Sequence, residues 1–282
     1  MKRLIVNADD LGADEARNEG IFEAMRAGVV TSATILPNGP ALGHALAGIR
    51  SGGFARVSFG VHLNLTEGRP LSDGLAPLTG PGGGFLGKAA AHRLLMRTGD
   101  EALEKAVAAE TARQIARLVD AGIAVTHLDG HQHVHVFPAA LRTVAETARG
   151  LGIRRMRIPE ETFPPGDDAP ADLLEEARRF SELGREARTC FAGAGIVSAD
   201  HFRGLALKGR LDAERLLALL EMLPDGTTEL MVHPGRVPER DPFSAFSSAD
   251  RERELEALLD RRFRLALEKR GVLLVSYREV AP

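Results

Sequence analysis

Short apolar stretches alternate with longer amphipathic stretches along most of the chain, and this alternation predicts the fold. Each short stretch is rich in β-branched or aliphatic residues and ends at a turn, which is typical of a buried strand. Eight stretches fit this description: 4–9, 30–36, 57–64, 125–129, 155–159, 196–204, 229–233 and 272–277. Because helical patterns lie between most of them, the strands should run parallel, as in an α/β protein.

Two of the helices have recognisable ends. Asp14 precedes an amphipathic stretch that is followed by Gly28, and the stretch 101–122 ends with Gly122. Asp caps the first turn of a helix, and Gly adopts the left-handed conformation that often ends one. Eight strands in a chain of this length predict a (β/α) barrel or a broken version of one, with a doubly wound open sheet as the alternative. No linker divides residues 1–282, so we predict a single domain.

The composition is that of an ordinary globular protein and excludes several functions. The 282 residues are 44% hydrophobic and 27% charged, and the net charge of −3 offers no basic surface for nucleic acid. The N-terminal apolar run is too short for a signal peptide, and no run reaches the roughly 20 residues of a membrane span. The single cysteine, Cys190, excludes an internal disulfide and a cysteine-based zinc site. We therefore expect a cytoplasmic protein.

Polar side chains lie at the ends of several predicted strands, where both α/β architectures bind ligands. They are Asp9, Asp10, His62, Asp129, His131, Arg157 and His233. Taken singly, each has an ordinary structural explanation: an aspartate beside glycine caps a turn, and a lone histidine packs in a core. Two adjacent carboxylates together with histidines from three strands favour a metal-assisted active site.

The stretch THLDGHQHVHVF (126–137) is unusually rich in histidine. In a helix His127 and His131 would share a face, whereas in a strand all its odd-numbered polar residues would do so: His127, Asp129, His131, His133 and His135. Gly130 and the β-branched neighbours favour a strand that ends near 129–131. Same-face residues of a strand are about 6.6 Å apart, so at most one or two can bind one ion. The others would orient ligands, contact substrate or face solvent.

Several motifs together resemble the YdjC-like family, the carbohydrate deacetylases that include chitooligosaccharide deacetylases and hopanoid-associated proteins. The motifs are NADDLG (7–12), TSATILPNG (31–39), GVHLNLTEGRPL (60–71), THLDGHQHVHVFP (126–138) and HPG (233–235). The resemblance implies a distorted, incomplete (β/α) barrel, a divalent metal, removal of an N-acetyl group from a sugar, and often a homodimer. Carried over by position, it implies that Asp10, His62 and His131 bind the metal and that Asp9 is the base.

The chain is also distantly similar to NodB-type polysaccharide deacetylases. Arg157-Ile158-Pro159 and the strand that ends in His233 occupy places comparable to that group's motifs. This similarity implies that Arg157 orients Asp9 and that His233 is the catalytic acid. The tryptophan motif of that group has no counterpart, because the chain contains no Trp. Asp129 and His135 are expected to surround the metal ligands without binding the ion themselves.

The types of the ligands limit which metal ion the site would bind, and they leave two other functions open. Two histidines and a carboxylate suit Zn²⁺ or another transition metal better than Mg²⁺, although the family resemblance keeps Mg²⁺ possible. The same ligands occur in non-haem Fe(II) oxygenases, which have no use for the adjacent Asp9 and His233. A metal-dependent sugar-binding protein without turnover is the second alternative.

The substrate expected from the sequence is a small N-acetylated sugar or a glycolipid. Tyr and Trp, which usually form sugar-binding platforms, number one and none, which disfavours a long polysaccharide groove. Phe59, Phe85 and Phe137 are candidate apolar walls. The loop 67–88 is too long for a simple connection and is predicted to be a lid or disordered, and specificity is expected there and in 160–170.

Overall fold

A parallel sheet forms the centre of the protein in the computed structural model, which describes residues 1–163, 168–237 and 249–281. The strands are β1 (Lys2–Leu11), β2 (Ser32–Ile35), β3 (Ser58–Leu63), β4 (Val125–Gly130), β5 (His201–Arg203), β6 (Gly226–Val232) and β7 (Leu273–Leu274). Their order is β4-β3-β2-β1-β6-β5, and β7 pairs with the start of β1. The sheet curls into a half-barrel, so the predicted incomplete barrel is confirmed.

Helices connect the strands and cover the sheet. They are α1 (Glu15–Arg26), α2 (Leu42–Ser51), α3 (Lys88–Leu95), α4 (Glu101–Asp120), α5 (Pro138–Gly150), α6 (Ala171–Gly193), α7 (Ala213–Glu221), α8 (Ala249–Leu259) and α9 (Arg261–Arg270). The predicted caps are confirmed: the Asp14 side chain accepts from the Arg17 N–H at 2.7 Å, and Gly28 and Gly122 have φ angles of 71° and 83°. None of these helices, within the described ranges, is long and apolar enough to cross a bilayer.

One of the eight predicted strands is wrong. The stretch 155–159 makes only single parallel bridges, Leu128 with Met156 and Arg155 with Val197. Pro159 has no N–H to extend a ladder, and the Glu160 N–H turns back to the Ile158 carbonyl at 2.9 Å. These bridges still link β4 to the segment before β5, so the strands follow one another around the barrel in chain order.

The inside of the barrel changes from apolar to polar along β1. Side chains of a strand alternate between its faces, so Ile5, Asn7 and Asp9 point to the same side. Ile5 packs with Val275, Tyr277 and Val280 in a small apolar cluster contributed mainly by the C-terminal segment. Asn7 and Asp9 above it are buried and polar. The apolar cluster is thus the floor beneath a polar layer.

The loop 67–88 is irregular but makes several backbone contacts. The Leu71 and Ser72 N–H groups both donate to the buried Glu110 carboxylate at 2.9 Å, and the Phe85 N–H donates to the Gly68 carbonyl at 2.9 Å. The loop therefore has a defined path in the structure. Within the second expected specificity segment, 160–170, residues 164–167 lie outside the described residues.

Candidate active site

The polar residues predicted at the strand ends converge at one end of the half-barrel. Consecutive residues of a strand normally face opposite sides, yet both Asp9 and Asp10 enter the site. Asp10 has a φ angle of 68°, and the pairing of β1 with β2 shifts register between Ala8 and Leu11. This left-handed residue redirects the chain, so the two carboxylates approach the site from adjacent positions.

Asp10, His62 and His131 bring three ligand atoms together. Asp10 Oδ1 lies 3.0 Å from His131 Nδ1 and 3.3 Å from His62 Nε2, and the two ring nitrogens are 3.3 Å apart. Ligand atoms bound about 2.0–2.2 Å from a zinc-sized ion, at angles between octahedral and tetrahedral, would lie about 3.0–3.5 Å apart. All three residues are buried. The residues therefore fit a divalent ion, as a carboxylate and two imidazoles would hold it.

Two carboxylates orient the imidazoles of this set. His62 Nδ1 lies 2.7 Å from Asp129 Oδ1, and His131 Nε2 lies 3.1 Å from Glu67 Oε2. When each of these nitrogens carries the proton and donates it, His62 Nε2 and His131 Nδ1 are left to accept a metal. The placement of Asp129 agrees with its expected position beside the ligands. Glu67 was not singled out from the sequence, although it lies in the motif GVHLNLTEGRPL (60–71) that also contains His62.

Glu67 offers a direct test of the orienting role. The Glu67→Ala variant should bind Zn²⁺ about 10–100-fold more weakly, because His131 loses the acceptor that fixes its ring and tautomer. Affinity is measured by competition with a chromogenic chelator. Glu176→Ala is the matched control, since Glu176 lines the same cavity and pairs with Lys88 at 2.5 Å. Equal affinities for the two variants would refute an orienting role for Glu67.

Arg157 joins three buried carboxylates at the base of the site. Its Nη1 and Nη2 donate to Asp9 Oδ2 and Oδ1 at 2.6 and 2.7 Å, Nη2 lies 2.9 Å from Asp129 Oδ2, and Nε donates to Glu229 Oε1 at 2.8 Å. Burial alone would raise the pKa of Asp9, but the charge and hydrogen bonds of Arg157 hold it well below its usual range. Asp9 is therefore an ionised, rigidly oriented carboxylate.

His233 follows β6 and lies beside Asp9. Its Nε2 lies 4.0 Å from Asp9 Oδ2, and its backbone N–H donates to Glu254 Oε2 at 2.6 Å. Burial lowers the pKa of His233 to about 3, despite the nearby charge of Asp9. In the free protein this histidine is neutral at physiological pH.

The other residues of the histidine-rich stretch are held away from the ligand set. His127 Nε2 lies 3.0 Å from Asn7 Oδ1, and His135 Nε2 lies 3.0 Å from the Arg157 carbonyl. His133 packs against Phe180, with ring centroids 4.7 Å apart. The predicted strand, which carries His127, ends at Gly130, and a 3-10 turn over 131–136, with positive φ at residues 132 and 133, carries His133 and His135.

A cavity of about 280 Å³ opens above the ligand atoms. Leu173, Ala177 and Phe180 share one face of α6 and line it on the apolar side, and Lys88 and Lys208 flank Glu176 at 2.5 and 3.7 Å. The expected aromatic walls were wrong, because none of the three proposed phenylalanines lines this cavity: Phe59, Phe85 and Phe137. They pack in or against the main core instead.

Two arginines that sequence reasoning missed hold Asp10. Arg251 Nη2 donates to Asp10 Oδ2 at 2.6 Å, and Arg17 Nη1 lies 3.5 Å from the same oxygen. Both arginines are almost fully buried. Both arginines contact Asp10 Oδ2, so Asp10 Oδ1 remains directed towards the two histidines. Arg251 lies in the highly charged stretch ADRERELE, which resembles a solvated helix, so no sequence signal distinguishes it.

The chain is similar in sequence and in fold to several known proteins. The sequence model for YdjC-like proteins matches residues 3–269. A carbohydrate deacetylase of Mus musculus is 38% identical over 97% of this chain and 93% of its own, and a chitooligosaccharide deacetylase of Salmonella schwarzengrund is 35% identical over 98% of both. A crystal structure from Enterococcus faecalis V583, whose description proposes cellobiose-phosphate cleavage, matches with a TM-score of 0.77 and 26% identity over 100% of this chain and 99% of its own.

Proposed function

Since the chain belongs to the YdjC-like protein family, we propose that it is a metal-dependent hydrolase that removes the N-acetyl group from an acetylated amino sugar. The observation that carries the proposal is the triangle of Asp10, His62 and His131 ligand atoms beside a carboxylate that Arg157 fixes. An amide is a poor electrophile, so its hydrolysis needs an activated water, a stabilised oxyanion and a proton for the amine. We assign a group to each of these requirements below.

Asp10, His62 and His131 would hold the ion, with Zn²⁺ or another transition metal preferred to Mg²⁺. A bound divalent ion would supply Lewis acidity towards the acetyl carbonyl and lower the pKa of water. Asp9, adjacent to these ligands, takes the proton of the attacking water. Its bidentate contact with Arg157 holds the Asp9 carboxylate in one orientation during the reaction. A misplaced catalytic group would lower the rate.

His233 is the proposed acid for the departing amine. Because His233 is neutral in the free protein, it must receive a proton before it can donate one. Asp9 Oδ2 lies 4.0 Å from His233 Nε2, and such contacts often shorten in the substrate complex. The proton that Asp9 takes from water can thus pass to His233 and then to the amine nitrogen, leaving acetate and a free amino sugar as products.

The cavity favours a small substrate. Its volume of about 280 Å³ lies near the lower end of the range for ligand pockets, and Phe180 supplies one aromatic wall. A short acetylated glycan or the head of a glycolipid is therefore the proposed substrate. None of the relatives compared above is named as an oxygenase or as a sugar-binding protein, so neither alternative gains support. The cytoplasmic location and the homodimer stay predictions.

Acetate release tests the proposed function. The protein, purified without a metal-affinity column, is incubated with diacetylchitobiose and related N-acetylated sugars, with and without a chelator. We expect acetate from at least one sugar, and its loss with the chelator, because the ligands then lack their ion. Elemental analysis of the same sample identifies the metal. Metal present in the protein with no acetate from any sugar would favour a binding protein without turnover.

A further inference from the structure

The chain's single tyrosine, Tyr277, lies in the C-terminal segment at the floor of the barrel. Its side chain is fully buried, and its hydroxyl donates to Glu229 Oε2 on β6. The Tyr277 N–H is bonded to the hydroxyls of Ser32 and Ser58 at 3.0 Å, which fixes the residue against β2 and β3. A tyrosine hydroxyl this deep in an apolar cluster requires a partner, and here the partner is a carboxylate.

Two chains of contacts run from Tyr277 to Asp9. In the first, the Tyr277 hydroxyl contacts Glu229 Oε2, and Glu229 Oε1 accepts from Arg157 Nε at 2.8 Å. Arg157 in turn donates to both oxygens of Asp9. Through its ring, Tyr277 stacks on His127 with centroids 4.0 Å apart and an interplanar angle of 10°.

The second chain continues from His127 to the same carboxylate. His127 Nε2 lies 3.0 Å from Asn7 Oδ1, and Asn7 Nδ2 donates to Asp9 Oδ1 at 2.9 Å. With Asn7 Nδ2 donating to Asp9, Asn7 Oδ1 is the acceptor for His127, and this arrangement fixes the His127 tautomer. Both chains thus end on Asp9.

The three carboxylates around Arg157 explain why the contacts through Glu229 depend on the Tyr277 hydroxyl. Asp9, Asp129 and Glu229 are buried and all contact one guanidinium, so they compete for it. Burial raises the pKa of Glu229 to about 7, while Arg157 and the Tyr277 hydroxyl favour its ionised form. Without the hydroxyl, one Glu229 oxygen would lose its partner in a buried site and would turn towards Arg157.

We propose that Tyr277 and Glu229 are positioning residues, which hold Arg157 so that Asp9 keeps the orientation it needs as the base. This inference rests on the proposed function for Asp9. Neither residue contacts the metal-ligand atoms or lines the cavity, so their removal should affect the chemical step and spare substrate binding.

Steady-state acetate release provides the first test. Tyr277→Phe keeps the ring on His127 and should lower kcat about tenfold with KM within about twofold, since misplacing a catalytic group costs rate and spares ground-state binding. Glu229→Gln should act similarly, and the double variant should resemble the slower single one, because both act through one contact chain. Val280→Ala, which trims the same apolar cluster, should leave kcat within about twofold. An unchanged kcat in Tyr277→Phe, or losses that multiply in the double variant, would overturn the inference.

Urea unfolding provides a second test that needs no turnover. Tyr277→Phe, Asp9→Asn and their double variant form a cycle, and the double variant should unfold at a higher urea concentration than the summed shifts of the single variants give. Additive shifts would overturn the contact chain. If the parent protein, with metal bound, released no acetate from any sugar, the proposed function would fail, and this cycle alone would decide whether Tyr277 holds Asp9.

Discussion

Exchange of His131 for Ala should abolish tight binding of a divalent ion, whereas His133→Ala should bind it as the parent does. His131 Nδ1 lies 3.0 and 3.3 Å from the ligand atoms of Asp10 and His62, so its loss leaves two protein ligands. His133 is two residues away and equally buried, but its ring packs against Phe180. The loss in His131→Ala should exceed the roughly 10–100-fold that removal of an outer orienting partner costs.

Isothermal titration with Zn²⁺ measures both variants, each confirmed as folded by its thermal unfolding. The pair is a matched control, because both substitutions remove a buried imidazole from the same 3-10 turn. Similar affinities in the two variants would show that His131 is not the metal ligand that this turn contributes. A collapse in His133→Ala alone would place the ion on the other side of the turn.

Exchange of His233 for Ala should lower the rate of acetate release by about 10²–10⁴-fold, the usual contribution of a general acid or base. The loss should be in kcat, because His233 acts on the departing amine in the transition state. Metal affinity should persist, since His233 lies outside the set of ligand atoms that the structure brings together.

His201→Ala is the matched control for this variant. His201 is a half-buried histidine on β5 whose Nε2 contacts the Asp225 carbonyl at 3.1 Å, away from the cavity, so its rate should stay near that of the parent. A rate within about tenfold of the parent in His233→Ala would remove His233 from the mechanism. Asp9 would then have to deliver the proton itself.

Several parts of the fold and site could be predicted from the sequence because they depend on local patterns. Apolar stretches with helices between them predicted the parallel sheet, and Asp14 with Gly28 predicted the ends of α1. Polar residues at the ends of parallel strands meet at one edge, which is why Asp10, His62 and His233 were singled out together. The family resemblance, which selected His131 from five candidates, agrees with where the turn directs its ring.

The features that the sequence did not predict depend mainly on contacts between distant segments. Arg251 lies in a charged helix, and only packing buries it against Asp10. Glu67 and Phe180 are unremarkable in their local sequence, and they reach the site because of the paths of a loop and of α6. The stretch 155–159 has the composition of a strand, but Pro159 has no N–H to extend the ladder and only single bridges form.

Titration of metal-free protein with Zn²⁺, with acetate release from its best sugar substrate as the readout, tests the central claim most directly. The rate should rise in proportion to added metal up to one ion per chain and then level off. The His131→Ala protein should stay inactive through the same additions. Acetate release by the metal-free parent protein, or equal activation of His131→Ala, would contradict a metal-dependent deacetylase built on Asp10, His62 and His131.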